Sequence, residues 1–470
     1  MDSLEQSPAI DHPADLVSDE PGSLDAEQAR DVLRKAASRR VSPAPWAEGR
    51  RGAGAAPGGP AGGQSTYYAN NVSPDEEKTG PDQAKEVWQE RRGKRFAQRV
   101  VLRRISTLPR VQKCGLVTNG NEGNGSAAIV VNEGHASWSG YCSCGSIWAC
   151  PVCAAKIRLV RADEIARAVA KHMIEDGGTA WMVTLTARHK KYHDLAPVLD
   201  AVANGWRRLM SGKAWAGDKK TGLLGEKDKL GIRGYIRSLE VTWGHRNGFH
   251  PHLHVVVLMN NETTEELAYM MGRWWKTWRA WMKKHGYEPT EKHGIVWSKV
   301  TTPQEAGEYI AKLQEGRGLG NEIARGDMKS GSLKTLAPFE LLEYFRLTGD
   351  MDVIPVWRQY EQGTFNRRAI TWSRGLRPEL LPKEVEKTDE EVVNDKVAGE
   401  RWAVLPAESL KRMRQTPGLE TQLLDAAENG GFAELVNLLT AYHLEFEVGP
   451  DAPSEEDDGS SDVDEESALA

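Results

Sequence analysis

Apolar positions along the middle of the chain recur with two periods, and the period changes mark the elements. Trp181 to Ala187 alternates apolar residues with threonine, the period of a strand. Over 195–210, Leu195, Val198, Leu199, Val202, Trp206 and Leu209 fall on one helical face. Ile232 to Trp243 reads as a second strand, Gly244 to Gly248 as an Asn-Gly turn, and His252 to Leu258 as a third strand, so the two form an antiparallel hairpin. A long helix spans 263–285, with Trp274, Trp275, Trp278 and Trp281 at helical spacing, a stripe read as facing the core. Gly294 to Val300 is a fourth strand, and Pro303 opens a helix running to Leu313. Helices are also expected over 83–106, 154–175 and 339–346, with one or two more near 418–443.

Charge divides the chain into three blocks. Residues 1–80 hold 8 Lys and Arg against 13 Asp and Glu, residues 81–376 hold 45 against 30, and residues 377–470 hold 8 against 24. A basic centre between acidic ends points to a polyanion-binding core. The run Gly52 to Pro60 cannot build a core and reads as a linker. The division expected is 1–80 disordered, 81–139 a basic arm and linker, 140–180 a cysteine segment with its helix, 181–377 the main domain, 378–445 an acidic helical region and 446–470 an acidic tail. No run of 18 apolar residues occurs and the start has no apolar leader, so a cytoplasmic protein without a membrane partner is expected.

Three stretches carry candidate chemistry. In His250-Pro251-His252-Leu253-His254, the last two histidines project from one face of a strand, which makes half of a metal site. Glu240, near the turn end of the facing strand, lies about where a cross-strand neighbour of His252 or His254 would sit. Cys142, Cys144, Cys150 and Cys153 lie within twelve residues and would close a tetrahedral zinc site, leaving Cys114 as a core residue. On the helix from Pro303, Glu305, Tyr309 and Lys312 share one face. A tyrosine oxygen beside a metal can attack a phosphodiester, with the lysine easing the developing phenolate and the carboxylate serving as general base. His189 and His193 follow the first strand, where surface positions are the simpler reading.

These residues resemble the HUH endonucleases, and more closely the rolling-circle replication initiator (Rep) proteins of actinobacterial plasmids and integrative elements. The resemblance covers about residues 140–377 and rests on Val183 to Thr186, His250 to His254, Glu305 to Lys312, the cysteine cluster, and Trp372-Ser373 with Gly375-Leu376-Arg377. It implies an α+β fold with a central antiparallel βαββαβ sheet of ferredoxin-like type. It implies a nickase using Mg²⁺ or Mn²⁺ that cuts origin DNA, keeps the 5′ end on a tyrosine and later recloses the strand. His252 and His254 carry over as metal ligands and Tyr309 as nucleophile, and the resemblance implies a third ligand for which Glu240 and His250 compete. Arg367, Arg368, Arg374 and Arg377 are candidate DNA contacts. No second tyrosine lies four residues from Tyr309, and no Gly-x-x-x-x-Gly-Lys-[Ser/Thr] loop is present, so host helicase and DNA polymerase are the implied partners. A conjugative relaxase or single-tyrosine transposase would use the same chemistry. A non-catalytic zinc-containing DNA-binding protein is the rival of a different class.

Overall fold

The computed structural model describes residues 81–123, 125–310, 336–394 and 398–453. The expected linker at 52–60, Lys312 and the acidic run from Ser454 lie outside the described residues. The protein is mixed α+β, with two antiparallel sheets.

The main sheet has five strands. β3 (Thr179–Thr186), β4 (Ile232–Gly244), β5 (Gly248–Met259), β6 (Ile295–Lys299) and β7 (Ile370–Trp372) lie in the order β6-β3-β5-β4-β7. Between them run α3 (Leu195–Leu209) after β3, α4 (Thr264–Lys284) after β5 and α5 (Pro303–Ile310) after β6. Apart from the short helices Gly212–Ala216, Glu226–Lys229 and Glu291–Gly294, the order of elements from β3 to β6 is β-α-β-β-α-β, and every neighbouring pair is antiparallel. The β4–β5 turn depends on Gly248. Its φ is +75°, and an added Cβ would lie 3.1 Å from the Lys191 backbone.

Alternation along the strands sorts their side chains onto two faces. Leu253, Val255, Val257 and Met259 of β5 join Trp181, Val183 and Leu185 of β3 on one face. α3 and α4 cover that face with Trp206, Trp274 and Trp278, all essentially buried. Trp274 and Trp278 of the tryptophan stripe are thus core, as its period indicated, while Trp275 and Trp281 are half-buried, and Trp206, Trp274 and Trp278 would each cost about 3–5 kcal/mol to truncate to alanine. Trp278 also donates its indole N–H to the Thr186 carbonyl at 3.0 Å, fixing the end of β3.

The opposite face changes character along its length. At one end Ala180 and Met182, Ile236, and Val256 and Leu258 pack under Ile165, Ala168 and Val169 of α2 (Pro151–Ala170) and Ala306 of α5. At the other end the same three strands present Thr184 and Thr186, Ser238 and Glu240, and His252 and His254. One side of one sheet therefore runs from an apolar floor to a polar cluster, and α5 sits above it.

The second sheet was not expected from the sequence. β1 (Ala127–Asn132) and β2 (His135–Ser139) form a hairpin that pairs with β8 (Glu400–Leu405) and then β9 (Glu447–Val448). The helix Leu419–Ala441 covers it with Leu423, Leu424, Leu435 and Leu439. Segments some 270 residues apart in sequence thus share a core, and local periodicity carries no record of such pairing.

The basic segment 83–106 is also resolved by this unit. It forms α1 (Pro81–Ile105), in which Arg92, Arg95 and Arg99 turn inward while Arg91 and Arg104 stay exposed. Arg92 bonds Glu428 at 2.6 and 2.8 Å and also reaches Asp425, while Arg99 pairs with Glu420 at 2.7 Å. The basic helix therefore neutralises the acidic C-terminal helix, and these cations are committed within the fold.

Candidate functional site

Register places the polar residues of the site. Thr186, His252 and Glu240 are paired across β3, β5 and β4, and Thr184, His254 and Ser238 form the next row. The Glu240 carboxylate crosses to the His254 row and meets its Nε2 at 2.7 Å. On the other side, the Thr184 hydroxyl lies 3.1 Å from His254 Nδ1 and the Thr186 hydroxyl 3.1 Å from His252 Nδ1. The two imidazoles stack with centroids 5.9 Å apart and an interplanar angle of 14°. Both Nδ1 atoms are held by β3, so the Nε2 atoms are the ones available to an ion.

A threonine hydroxyl can donate or accept. It supports the tautomer in which Nε2–H donates to Glu240. It equally supports the one in which Nδ1–H donates to the threonine and Nε2 offers its lone pair, the form a metal requires. Burial, followed by the neighbouring His250 and His254, pulls the His252 pKa down to about 3, so this ring is neutral near pH 7. Two imidazoles and one carboxylate are a donor set of the kind that can take a divalent cation such as Mn²⁺. Of the two candidates for third ligand, Glu240 is the one in contact with His254. His250 instead turns its Nδ1 onto His189 Nε2, in close contact, and its ring lies 4.1 Å edge-on from that of His252.

Tyr309 lies on α5, the helix above this face. The helix approaches α2 closely because position 307 is glycine: an added Cβ would sit 2.4 Å from the Ala162 carbonyl oxygen. Gly307→Ala is expected to push α5 off α2 and lower the rate of any Tyr309-dependent reaction about tenfold or more while leaving every candidate site residue intact. A single-turnover assay would check this, and an unchanged rate would break the link between that approach and the tyrosine's position. Glu305, four residues before Tyr309, has a structural task as well. Its carboxylate accepts from the Thr301 hydroxyl at 2.8 Å and from the Thr301 and Thr302 N–H groups at 3.2 and 3.3 Å, closing the first turn of α5.

The cysteine cluster differs from the expectation in one ligand. Cys114, Cys144, Cys150 and Cys153 are all buried, with their sulfurs together. The Sγ–Sγ separations are 3.6 Å for Cys114–Cys153 and 3.7 Å for Cys144–Cys153 and Cys114–Cys150. Four thiolates about 2.3 Å from one zinc stand about 3.8 Å apart, so the arrangement fits that ion. Cys142 is half-buried and outside the group. Its backbone instead forms a ladder with the 115–117 segment, through Gly115 N–H to the Cys142 carbonyl at 2.9 Å and Cys142 N–H to the Val117 carbonyl at 2.7 Å. That ladder carries Cys114 into the fourth position. Hydrogen bonds from Cys144, Cys150 and Cys153, together with Arg99, hold the Cys114 thiol far below its ordinary pKa, and the shared proton network pushes Cys144 and Cys150 up.

The four candidate DNA arginines separate into two pairs. Arg368 and Arg374 are exposed. Arg377 is 4% exposed and pairs with Glu164 at 2.9 Å, which withdraws it from any phosphate. Arg367 is held by the Gly363 carbonyl at 2.7 Å and by Asp200 at 2.8 Å.

With the histidine strand, its carboxylate and the cysteine cluster placed, comparison with known proteins adds the family. The model of the replication protein family Rep_1 matches residues 141–403, more than half of the chain. The chain belongs to the Rep_1 family of replication proteins. The Rep_1 match spans the five-stranded sheet and three of the four clustered cysteines and ends within β8 of the second sheet, and it bears out the kinship with replication proteins read from the motifs. Protein rep of Streptomyces lividans is 38% identical over 293 residues, which is 51% of this chain and 64% of that protein. The Neomycin resistance protein of Streptomyces cyanogenus is 37% identical over 140 residues, 26% of this chain and 32% of that one. A Protein rep of a Bacillus species is 26% identical over 136 residues, 28% of this chain and 40% of that one. The chain therefore spans less than two thirds of the length of each of these relatives. No solved structure matches. Among the described residues, no helix is long and apolar enough to cross a membrane.

Proposed function

We propose that this protein initiates rolling-circle replication of a plasmid or integrative element by nicking one strand of its origin, with Tyr309 as nucleophile and with His252, His254 and Glu240 holding a divalent cation. The observation that carries the reading is the coincidence on one sheet face of the His252–His254–Glu240 cluster and the helix bearing Tyr309. The order of elements and the antiparallel pairing also agree with an HUH endonuclease core.

The Tyr309 oxygen attacks phosphorus in line, the bond from phosphorus to the 3′ oxygen breaks, and the 5′ end stays on the tyrosine as a phosphodiester. The freed 3′-hydroxyl primes synthesis. A bound Mg²⁺ or Mn²⁺ would draw charge from the non-bridging oxygens. Thr184 and Thr186 hold the two rings in place through Nδ1. Reclosing the circle needs a base for the incoming hydroxyl, and Glu305 takes that part on leaving its cap on Thr301 and Thr302. Lys312 would ease the phenolate charge. Transesterification conserves the phosphodiester energy, so strand opening and synthesis fall to the host helicase and polymerase.

The decisive experiment uses the full-length protein, Mn²⁺ or Mg²⁺, and a 5′- or 3′-labelled single-stranded origin oligonucleotide. A covalent adduct on the fragment that carries the new 5′ end, seen with the 3′ label and absent in Tyr309→Phe and in EDTA, is expected, while the 5′ label reports the released fragment with its 3′-hydroxyl. If Tyr309→Phe forms the same adduct, or replicates the element normally, the reading fails in favour of a DNA-binding role without this chemistry.

A further inference from the structure

Beside the His250 end of the site lies a pocket of about 460 Å³ whose lining includes none of His252, His254 and Glu240. It is walled by the segment after β3 and by the β4–β5 turn, and Arg188, Lys190, Lys191 and Arg246 all line it. All four are exposed, and none has a carboxylate partner among the described residues. The two walls are tied together: His189 Nδ1 donates to the Asn247 carbonyl at 2.7 Å, and Gly248 packs on the Lys191 backbone. That bond fixes the ring system. With its Nδ1–H used, His189 accepts at Nε2, and His250 must donate from Nδ1. The pocket is thereby joined through His250 to the ring of His252, 4.1 Å further on.

Next to the cations stands a large exposed aromatic. Tyr192 is 74% exposed, with Lys190 Nζ 5.7 Å from its ring centroid. It is also braced: its ring meets His193 edge-on at 4.8 Å, and His193 meets Tyr287 at 5.0 Å. Four like charges gathered without a counterion repel one another and call for a polyanion. A braced, water-exposed ring among them supplies the stacking face that single-stranded nucleic acid needs. A duplex, whose bases are already stacked, gains nothing from it.

We infer that the pocket formed by residues 188–192 and the 246–250 turn is a subsite for the single-stranded DNA flanking the scissile phosphate, with Arg188, Lys190, Lys191 and Arg246 on successive phosphates and Tyr192 stacked on a base. The inference rests on the nicking reading above for its location beside a cleaved bond, and its test separates the two. Binding is measured by fluorescence anisotropy with the full-length protein in EDTA, where no cleavage occurs, using labelled oligothymidylate, an abasic strand of equal length and the matching duplex. The Lys190→Ala/Arg246→Ala variant should lose about tenfold in affinity for oligothymidylate, and its log-affinity against log-salt slope should shrink by about 1.4, two single-strand phosphate contacts. Tyr192→Ala should lose roughly tenfold on oligothymidylate and nothing on the abasic strand, and Tyr192→Phe should retain wild-type binding. An unchanged salt slope in the double variant overturns the subsite, as does an equal loss on abasic strand and duplex in Tyr192→Ala. If the wild type forms the Tyr309 adduct while these variants bind normally, nicking stands and the subsite falls. If no adduct forms on any origin strand but the variants lose binding as described, the subsite stands and nicking falls.

Discussion

Glu240→Ala should slow adduct formation on the order of a thousandfold at fixed Mn²⁺, the size of a several-kcal/mol loss of metal-borne charge stabilisation. Glu240 is the carboxylate that reaches His254 Nε2 at 2.7 Å, and its side chain is about one-fifth exposed, so its removal leaves the core intact. The same substitution should raise the Mn²⁺ concentration needed for half-maximal rate. His250→Ala is the discriminating partner. Its ring is engaged with His189, so the metal requirement should move only a few-fold. Thr184→Val and Thr186→Val remove the hydroxyls on the two Nδ1 atoms and should fall between, at about 10–100-fold, as expected for groups that orient ligands. Single-turnover assays across a Mn²⁺ titration, with melting curves for each variant, read all four. If His250→Ala shifts the metal requirement and Glu240→Ala does not, the third ligand has been assigned to the wrong residue.

That assignment shows what the sequence could and could not supply. The alternation in Trp181 to Thr186 and His252 to Leu258 was readable because period two is a local property, and it put both histidines on one face. The Asn-Gly turn fixed the hairpin, and with it Glu240 came near the histidines. The preference for Glu240 over His250 as the proposed third ligand rests on His189, whose side chain reaches His250 from the loop beyond β3. The same holds for Arg377, which reads as a basic surface residue until Glu164, over 200 positions earlier, is found against it. Short-range pattern gave four of the five strands of the main sheet, and β7, three residues paired to β4 from more than 130 positions away, was not among them. Partnerships between distant segments, such as β1 with β8 in the second sheet, had no local signature to read.

The cysteine cluster yields the other large effect. Cys114→Ser should abolish stoichiometric zinc binding, and Cys142→Ser should leave it unchanged, the reverse of what close spacing along the chain suggests. The Cys-Pro turn starts α2 with Cys150 as its N-cap and Cys153 two residues after Pro151, so both sulfurs lie at the positive end of a 20-residue helix. Arg99 adds a full charge. It is held above its ordinary basicity despite its burial, by Glu420 and by the Cys114 and Cys150 sulfurs. Gly115 has φ +64°, and its missing side chain leaves room for that guanidinium, since an added Cβ would lie 2.2 Å from it. A cation so placed is favourable only beside an anionic cluster, which four thiolates around one zinc provide. Metal at a thousandfold over its dissociation constant stabilises the native state by about 4 kcal/mol, so Cys114→Ser should also lower the melting temperature by roughly 10 °C. Arg99→Met separates charge from ligation. It should weaken zinc binding with all four sulfurs in place and leave Glu420 buried without its partner. Elemental analysis of the purified variants decides the ligand set, and zinc retained in Cys114→Ser but lost in Cys142→Ser would overturn it.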